Sequence, residues 1–383
     1  MIKNLNVFYW SPYTSKVAKI RAVLNSARSL KKYSKGKVST KIIDALGEWK
    51  EHLQEIKNNN IGYSLLINKT NFKIKDKTGF FKSRFYFFVI FYKCFFPLKN
   101  LIIKEKPEYL IIHLLTSLPM FLNLICNFKT KIILRISGLP QMNLFRKFFW
   151  KIAISKIHLV TCPTEATRID MINLNICNKD KIVVLKDPII NVKKIIEKKN
   201  SLIEKIKFKD YFLSIGRLTP QKNFLFLIKT FKIFLKEREN AKLIIIGDGE
   251  QKNEIQKFIT KNNLENNIIL TNYKKNVFPY IKNAKCFILS SLWEDPGFVI
   301  IESAFCNIPI ISSNCKNGPS EILTEGKSGF LFNTNSKEDF LKKIIEFENS
   351  DKDVLKEMIY KTKRNIKEFS MFSHFKNLRK IIF

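Results

Sequence analysis

Short apolar segments alternate with longer amphipathic ones along this chain, and this alternation constrains the fold more than any other feature. Leu5–Trp10 is the first such segment, and the apolar residues from Val17 to Ala27 then recur at helical spacing. Parallel strands that alternate with helices are covered on both faces and consist of nearly continuous apolar residues. The pattern predicts α/β domains, each built on a doubly wound parallel sheet.

Two series of strands are predicted, with the charged segment Lys193–Lys209 between them. The first series comprises Leu5–Trp10, Val38–Ile43, Tyr63–Ile67, Tyr109–Ile112, Lys131–Ile136, Ile157–Cys162 and Lys181–Leu185. The second comprises Tyr211–Ile215, Leu243–Ile246, Ile268–Leu270, Cys286–Leu289, Ile308–Ile311 and Phe330–Phe332. The 383 residues are enough for two cores. We predict one domain at residues 1–190, a second at 191–383, and a central cleft where the two sheets face each other.

Lysine and arginine outnumber aspartate and glutamate by 68 to 33, which gives a formal net charge of +35. Such a field favours polyanionic partners: nucleic acid, an anionic membrane surface or phosphorylated substrates. A genome of biased composition is the alternative explanation, since Lys, Ile, Asn and Phe are all abundant. The cations are scattered along the chain rather than gathered in one arm, and we therefore expect no nucleic-acid partner.

The seven cysteines include no C-x-x-C pair and the histidines show no paired spacing. Neither a zinc site nor a disulfide framework is predicted, and free thiols are typical of a reducing cytoplasm. The N-terminal MIKNLNVFYW leads directly into a strand without the apolar region of a signal peptide. No segment offers the roughly 18 uninterrupted apolar residues of a membrane span. We expect a cytoplasmic protein.

The stretch Ser290–Ser303, SSLWEDPGFVIIES, has the pattern of a loop and helix that follow a buried strand. Asp295 and Pro296 suit the start of that helix. A helix that begins after a parallel strand directs free backbone N–H groups at the crevice above the sheet, which suits a phosphate. Glu294 and Glu302 frame this site, although two such carboxylates are also compatible with a helix cap and a solvated helix position.

The motif IGRLTPQKN, Ile215–Asn223, follows the first strand of the second domain. Gly216 ends the strand, and the turn brings Arg217 and Lys222 to the rim of the cleft. Singly, each is compatible with a solvated surface cation, whereas together they make a suitable clamp for a diphosphate. Gly247, Asp248 and Gly249 form a Gly-rich turn after the next strand, a weaker signal because such turns are common.

These motifs, and above all SSLWEDPGFVIIESAFCNIPIISSNCKNGPSEIL, resemble the signature of the retaining glycosyltransferases of family 4, group 1 enzymes with the two-domain GT-B fold. Glu294 and Glu302 match the two acids of their E-x7-E motif. The resemblance runs from about Arg135 to Phe332 and more weakly to the N-terminus. It implies transfer of a sugar from a nucleotide-sugar, UDP- or GDP-linked, to a glycan or lipid-linked acceptor in cell-surface polysaccharide or lipopolysaccharide synthesis. No further cofactor is implied.

The resemblance also implies roles for individual residues. Glu294 is placed beside the donor sugar, and His113, at a strand end of the acceptor-binding first domain, loosely matches a histidine that contacts this sugar. The implied donor-binding residues are Gly216, Arg217, Lys222, Gly247, Asp248, Gly249, Pro296, Gly297, Phe298, Val299 and Glu302. No Asp-x-Asp triplet is present, so no metal is expected. A C-terminal helix, within Asn365–Phe383, is expected to return to the first domain.

The chain departs from the family after the first strand, where many members have a Gly-rich loop and this chain has Ser11–Lys16. Backbone approach to a ligand is therefore in doubt there, and Ser15 and Lys16 are candidates to replace it through their side chains.

The segment Gly79–Leu98, GFFKSRFYFFVIFYKCFFPL, is almost continuously aromatic and aliphatic. Drawn as a helix, it places Lys82, Tyr86 and Lys93 on one face. Buried core is one interpretation, and a basic helix in a membrane interface is the other and is preferred. We expect a peripheral protein on an anionic inner membrane face.

Two alternative functions remain. One is a non-catalytic membrane or polyanion binder on a transferase scaffold, and the other is a GT-B sugar-nucleotide epimerase, although the E-x7-E spacing favours a transferase.

Overall fold

The computed structural model describes residues 5–13, 18–68, 80–139, 142–201 and 210–383, so the candidates Ser15 and Lys16 lie outside the described residues. The chain divides into two compact units. Met1–Ile189 and Met371–Phe383 form the first unit, and Ile190–Ser370 forms the second.

The first unit is built on a seven-stranded sheet in the order β3-β2-β1-β4-β5-β6-β7, and every neighbouring pair is parallel. Its strands are β1 (Leu5–Trp10), β2 (Val38–Asp44), β3 (Gly62–Leu65), β4 (Tyr109–Ile112), β5 (Lys131–Arg135), β6 (Leu159–Cys162) and β7 (Ile182–Val184). Its helices are α1 (Ala18–Tyr33), α2 (Leu53–Asn58), α3 (Phe80–Glu105), α4 (Ser117–Ile125), α5 (Leu144–Lys156) and α6 (Glu165–Asn173), with α15 (Met371–Ile382) from the end of the chain.

The sheet of the first unit has an apolar core on each face because the side chains of a strand alternate between its two sides. Phe8 and Trp10 of β1 pack into the core that contains buried residues of α3, α4 and α5. Val7 and Tyr9 of the same strand pack into the opposite core, with residues of α1 and α15. The helices α3, α4 and α5 therefore form one layer and α1 and α15 belong to the other.

The second unit is built on a six-stranded sheet in the order β10-β9-β8-β11-β12-β13, again parallel throughout. Its strands are β8 (Phe212–Ile215), β9 (Leu243–Ile246), β10 (Ile268–Thr271), β11 (Cys286–Leu289), β12 (Ile310–Ser313) and β13 (Phe330–Phe332). Its helices are α7 (Val192–Lys199), α8 (Phe224–Phe234), α9 (Lys252–Lys261), α10 (Phe278–Lys282), α11 (Phe298–Phe305), α12 (Pro319–Ile322), α13 (Lys337–Glu348) and α14 (Lys352–Asn365).

All thirteen predicted strands are present, within a few residues of the predicted bounds. The predicted start of α11 at Asp295 and Pro296 is wrong, because Gly297 caps the helix and its first residue is Phe298. Gly297 has a φ of +94°, which a glycine adopts without strain, so the chain makes one more turn before the helix begins.

The C-terminal segment is not one helix. A short 3-10 turn, Ile366–Phe369, separates α14 from α15. The last helix packs on α1, where the ring of Phe375 lies 5.7 Å from that of Tyr33. His374 is buried and its Nε2 lies 2.8 Å from the Ser26 hydroxyl, which fixes α15 to the first unit.

Candidate active site

The candidate residues of the second unit lie at the carboxyl ends of adjacent strands. The sheet order places β8 between β9 and β11, so the loops after these three strands are neighbours. They begin at Gly216, Gly247 and Ser290. In open parallel sheets, ligands bind outside this edge.

The loops after β8 and β9 lie against each other along their backbones. The Leu218 N–H donates to the Asp248 carbonyl at 2.9 Å, and the Gln251 N–H donates to the Leu218 carbonyl at 3.0 Å. A Cβ on Gly247 would lie 2.0 Å from the Gly216 oxygen, and one on Gly249 would lie 2.4 Å from the Leu218 oxygen. Both positions require glycine because backbone occupies the space of a side chain. Gly247 and Gly249 therefore shape the loop after β8.

Lys222 and Glu294 form an ion pair across the loops that follow β8 and β11. The distance from Nζ to Oε1 is 2.5 Å, and the two side chains are only 14% and 6% exposed. The Ser291 hydroxyl donates to the same carboxylate oxygen at 2.6 Å. The lysine stem lies along Gly216, where an added Cβ would come within 3.3 Å of two of its methylenes. Three of the predicted residues thus meet in one desolvated cluster.

Side chains that the sequence did not single out hold these two loops together. Gln221 donates through Nε2 to the Trp293 carbonyl at 2.9 Å and accepts the Leu292 N–H at its own carbonyl at 2.8 Å. The Ser290 hydroxyl donates to the Lys222 carbonyl at 2.9 Å. The sequence does not predict these contacts, because they join positions about 70 residues apart and glutamine and serine occur at many surface positions.

A third loop supports the segment in front of α11. Gly318 has a φ of +131°, and a Cβ there would lie 2.0 Å from the Pro296 oxygen. The Glu294 N–H donates to the Lys316 carbonyl at 3.1 Å. The dipeptide Gly318-Pro319 is a turn signal that sequence reasoning could have used. The loop after β12 therefore fixes the backbone of Glu294 and Pro296.

The remaining predicted donor-binding residues occupy three kinds of position. Glu302 is buried within α11, while Phe298 and Val299 are half-buried in its first turn. The first backbone N–H groups of a helix have no partner within it. Arg217 and Asp248 are exposed, and the guanidinium of Arg217 is 3.3 Å from Gln221 Oε1. Arg217 is therefore solvated, unlike Lys222.

His113 follows β4 in the first unit and is buried, with 2% of its surface exposed. Nε2 is hydrogen-bonded to the Ser137 hydroxyl, and Nδ1 has no partner. Burial, and then the charges of Arg135 and Lys19, hold the pKa of His113 well below its usual range. The imidazole is therefore neutral at physiological pH. Arg135, which ends β5, forms a buried ion pair with Asp187.

The motifs in the sequence do not indicate the buried carboxyl pair Asp44 and Glu48, which lies at the end of β2. Asp44 accepts the Gly47 N–H at 2.7 Å and the Tyr63 hydroxyl at 2.6 Å. The Glu48 carboxyl accepts the Leu46 N–H at 2.8 Å. Burial, and then the hydrogen bond and charge of Asp44, raise the pKa of Glu48 to about 8. Both carboxyl groups accept backbone N–H groups of the turn after β2, so the role of the pair is to hold this turn.

In the described part of the chain, no cluster of three or more His, Cys, Asp or Glu side chains could hold a metal ion. All seven cysteines are free thiols.

Comparison with curated proteins gives relatives for part of the chain. It is 42% identical over 182 residues to an uncharacterized glycosyltransferase of Methanocaldococcus jannaschii, across 46% of this chain and 44% of that protein. It is 32% identical over 148 residues to the Campylobacter jejuni protein named N-acetylgalactosamine-N,N'-diacetylbacillosaminyl-diphospho-undecaprenol 4-alpha-N-acetylgalactosaminyltransferase, across 38% and 40% of the two chains. The chain thus spans less than half the length of these relatives.

Solved structures resemble the whole chain. A glycosyltransferase from Rickettsia africae superposes with a TM-score of 0.76 at 15% identity, over 99% of this chain and 98% of that one. At this identity the likeness shows the fold, and it confirms the prediction of a GT-B protein made of two doubly wound α/β domains.

Residues 195–365 match the family model of the group 1 glycosyl transferases. That segment contains the loops after β8, β9 and β11, with Lys222, Glu294 and Glu302. Over these residues the second unit is similar to the group 1 glycosyl transferases.

Proposed function

We propose that the chain is a retaining glycosyltransferase that moves a sugar from a nucleotide-sugar to a glycan or lipid-linked acceptor. The observation that carries the proposal is the desolvated Lys222–Glu294 pair at the carboxyl ends of β8 and β11, within the domain that matches the family. A buried cation and a helix N-terminus at one sheet edge suit a diphosphate.

The donor's diphosphate would lie between Lys222, Arg217 and the first turn of α11. Lys222 is held in place by Glu294 and by the backbone at Gly216, so little reorganisation is needed when the phosphate arrives. Arg217 is exposed and would close on the ligand from solvent. Both cations stabilise the negative charge that grows on the leaving diphosphate, and transfer is therefore proposed to be independent of a metal.

Glu302 would accept hydrogen bonds from the ribose hydroxyls, and Glu294 would lie beside the donor sugar. In the proposed step, an acceptor hydroxyl oxygen forms a bond to the anomeric carbon while the bond from that carbon to the phosphate oxygen breaks. The leaving phosphate takes the proton of the acceptor hydroxyl. Attack from the face of the leaving group retains the anomeric configuration and needs no carboxylate nucleophile.

The acceptor class is supported by the names of the relatives. The Campylobacter jejuni relative is named for a sugar carried on diphospho-undecaprenol. We extend to this chain only the coarser class, a cell-surface glycan or its lipid-linked precursor, and place the reaction at the cytoplasmic face of a membrane.

The test is a thermal-shift panel of UDP, GDP, ADP and CMP on the full chain. A nucleotide at about 100 times its dissociation constant stabilises by ~2.7 kcal/mol, which raises the melting temperature measurably. The responding nucleotide identifies the donor class, and its sugar derivatives are then assayed for hydrolysis and transfer with and without EDTA.

Lys222→Met should reduce the stabilisation at the same nucleotide concentration from ~2.7 to about 1.4 kcal/mol or less, whereas Lys229→Ala, which removes an exposed cation from α8 of the same unit, should leave it unchanged. No response to any of the four nucleotides would contradict the proposed donor site. Activity lost with EDTA and restored by Mg²⁺ or Mn²⁺ would contradict metal independence alone.

A further inference from the structure

The layer formed by α3, α4 and α5 has an outer face of exposed aromatic and aliphatic side chains. In the described part of the chain, 21 large hydrophobic residues are exposed, and these three helices carry five, two and four of them. They are Phe85, Phe88, Tyr92, Phe96, Ile103, Phe121, Ile125, Leu144, Phe145, Phe148 and Ile152. More than half of the exposed large hydrophobics thus lie on three neighbouring helices, which we call the aromatic layer face.

The exposed residues of α3 form one continuous stripe. Phe88, Tyr92 and Phe96 follow one another at four-residue spacing and are 69%, 84% and 65% exposed. The opposite stripe, which includes Ile90, Cys94 and Leu98, is completely buried in the core on the sheet. The helix is therefore apolar on both sides, and among the described residues only one side is covered by the rest of the chain.

The stripe continues across the neighbouring helices. Phe121 of α4 lies 5.9 Å from Phe91 and 6.4 Å from Phe95, ring to ring, so the apolar surface passes from α3 to α4 without a polar gap. On α5, Phe145 and Phe148 are 88% and 68% exposed. Soluble monomers rarely expose a continuous apolar surface of this kind unless it binds something.

The charges on the same helices indicate what it binds. The 26, 9 and 13 residues of α3, α4 and α5 contain nine lysines and arginines and one acid, Glu105, which pairs with Lys41. On α3, Lys93 and Lys99 flank the aromatic stripe. Aromatic side chains between cations match the boundary between lipid headgroups and acyl chains, where apolar rings insert and cations meet phosphates.

By length and composition, the segment Arg84–Glu105 could also cross a membrane. That arrangement would remove Tyr86, Ile90 and Leu98 from the core in which they pack. The helix can keep these contacts only if it lies along the membrane surface with its outer stripe inserted. We propose that the aromatic layer face docks the protein in the plane of an anionic membrane surface.

The test is co-sedimentation of the full chain with vesicles of phosphatidylcholine alone and of phosphatidylcholine with 30–40% phosphatidylglycerol, roughly the range in which anionic surface potentials are strong. The triple variant Phe88→Ser/Tyr92→Ser/Phe96→Ser removes exposed rings without adding charge. Val354→Ser/Tyr360→Ser removes exposed apolar side chains, 45% and 70% exposed, from α14 of the other unit and serves as the matched control.

We expect the wild type to bind the anionic vesicles, the triple variant to bind them at least tenfold more weakly, and the control to match the wild type. Lys93→Ser/Lys99→Ser should weaken binding by about fivefold per charge at low salt, and by less at high salt. Phe145→Ser/Phe148→Ser tests the same face from α5, in case the triple variant does not fold.

Three results would overturn the proposal. They are no binding by the wild type, equal binding of the wild type to neutral and anionic vesicles, or unchanged binding in both the triple variant and Phe145→Ser/Phe148→Ser. A wild type that is dimeric in solution, binds no vesicles, and becomes monomeric in the triple variant would assign the face to a second copy of the chain instead. None of these results depends on glycosyl transfer, so the membrane proposal and the proposed function fail independently.

Discussion

The Lys222–Glu294 pair gives a quantitative prediction for stability, because both charges are largely removed from water. Lys222→Met leaves the Glu294 carboxylate buried without a counter-charge, and breaking a buried pair in this way costs about 3–5 kcal/mol. The Ser291 hydroxyl, 2.6 Å from Oε1, still donates to the carboxylate and offsets about 1 kcal/mol of that cost. We expect the variant to lose about 3 kcal/mol.

The double variant Lys222→Met/Glu294→Gln separates charge from packing. A neutral amide needs no counter-charge, so the double variant should be about 2 kcal/mol more stable than the sum of the two single changes. The assay is urea unfolding of the full chain, with hydrogen exchange of peptides around β8 and β11 to assign the loss to the second unit. A single variant within about 0.5 kcal/mol of the wild type, or strictly additive changes, would refute the view that the pair is desolvated and coupled.

The same variants separate the two members of the pair in ligand binding. Glu294 neutralises part of the charge that Lys222 presents to a diphosphate. Glu294→Gln should therefore bind the nucleoside diphosphate at least as tightly as the wild type, whereas Lys222→Met should bind it more weakly by about tenfold or more. Turnover should fall in both variants. If the nucleoside diphosphate binds Glu294→Gln more weakly than the wild type, Glu294 does not act by neutralising the charge that Lys222 presents to the ligand.

Three further predictions follow from the structure. Arg217→Ala should change the free energy of unfolding by less than about 0.5 kcal/mol, because Arg217 is exposed, yet weaken nucleotide binding by about tenfold in titration calorimetry. Gly318→Ala places a Cβ 2.0 Å from the Pro296 oxygen at a φ of +131°, and should reduce both the melting temperature and nucleotide binding. Burial lowers the pKa of His374 to about 3, so its stabilising contribution is present above the unfolded pKa of about 6.5 and is lost as the pH falls toward 3. His374→Gln should therefore lose less stability than the wild type between pH 7 and pH 4 in urea titrations.

The strands were predictable because burial on both faces makes each a short uninterrupted apolar segment, such as Leu243–Ile246. The start of α11 was not, since Pro296 and Gly297 are both compatible with a first helical turn and with a loop, and contact with Gly318 selects the loop. Glu294 and Lys222 were recognisable as separate motif residues. Their hydrogen bond depends on which strands become neighbours in the sheet, and no local pattern contains that information.

The burial of α3 shows a different limit of sequence reasoning. Lys82, Tyr86 and Lys93 share a helical face by spacing, and the remainder of the helix is largely apolar. In the structure Tyr86 is 3% exposed and belongs to the core, while Phe88 and Tyr92 face solvent. When both sides of a helix are apolar, periodicity contains no signal for which side the sheet will cover. The buried side carries Ile90, Cys94 and Leu98 together with Tyr86, all of which pack in the core on the sheet.

The same helices bear on the origin of the net charge of +35. A biased genome would spread lysine evenly over the chain, and much of the chain fits that view. The 48 residues of α3, α4 and α5, however, contribute a net eight of the 35 positive charges, whereas the other 335 residues contribute 27. The density of positive charge is thus about twice as high on the layer that also exposes most of the aromatic surface. Residues 1–50, with 11 basic and two acidic side chains, have a net charge of +9, so charge density alone does not single out the aromatic layer face. What singles it out is that the cations lie on the same helices as the exposed rings, which is the combination that the proposed docking on an anionic membrane requires.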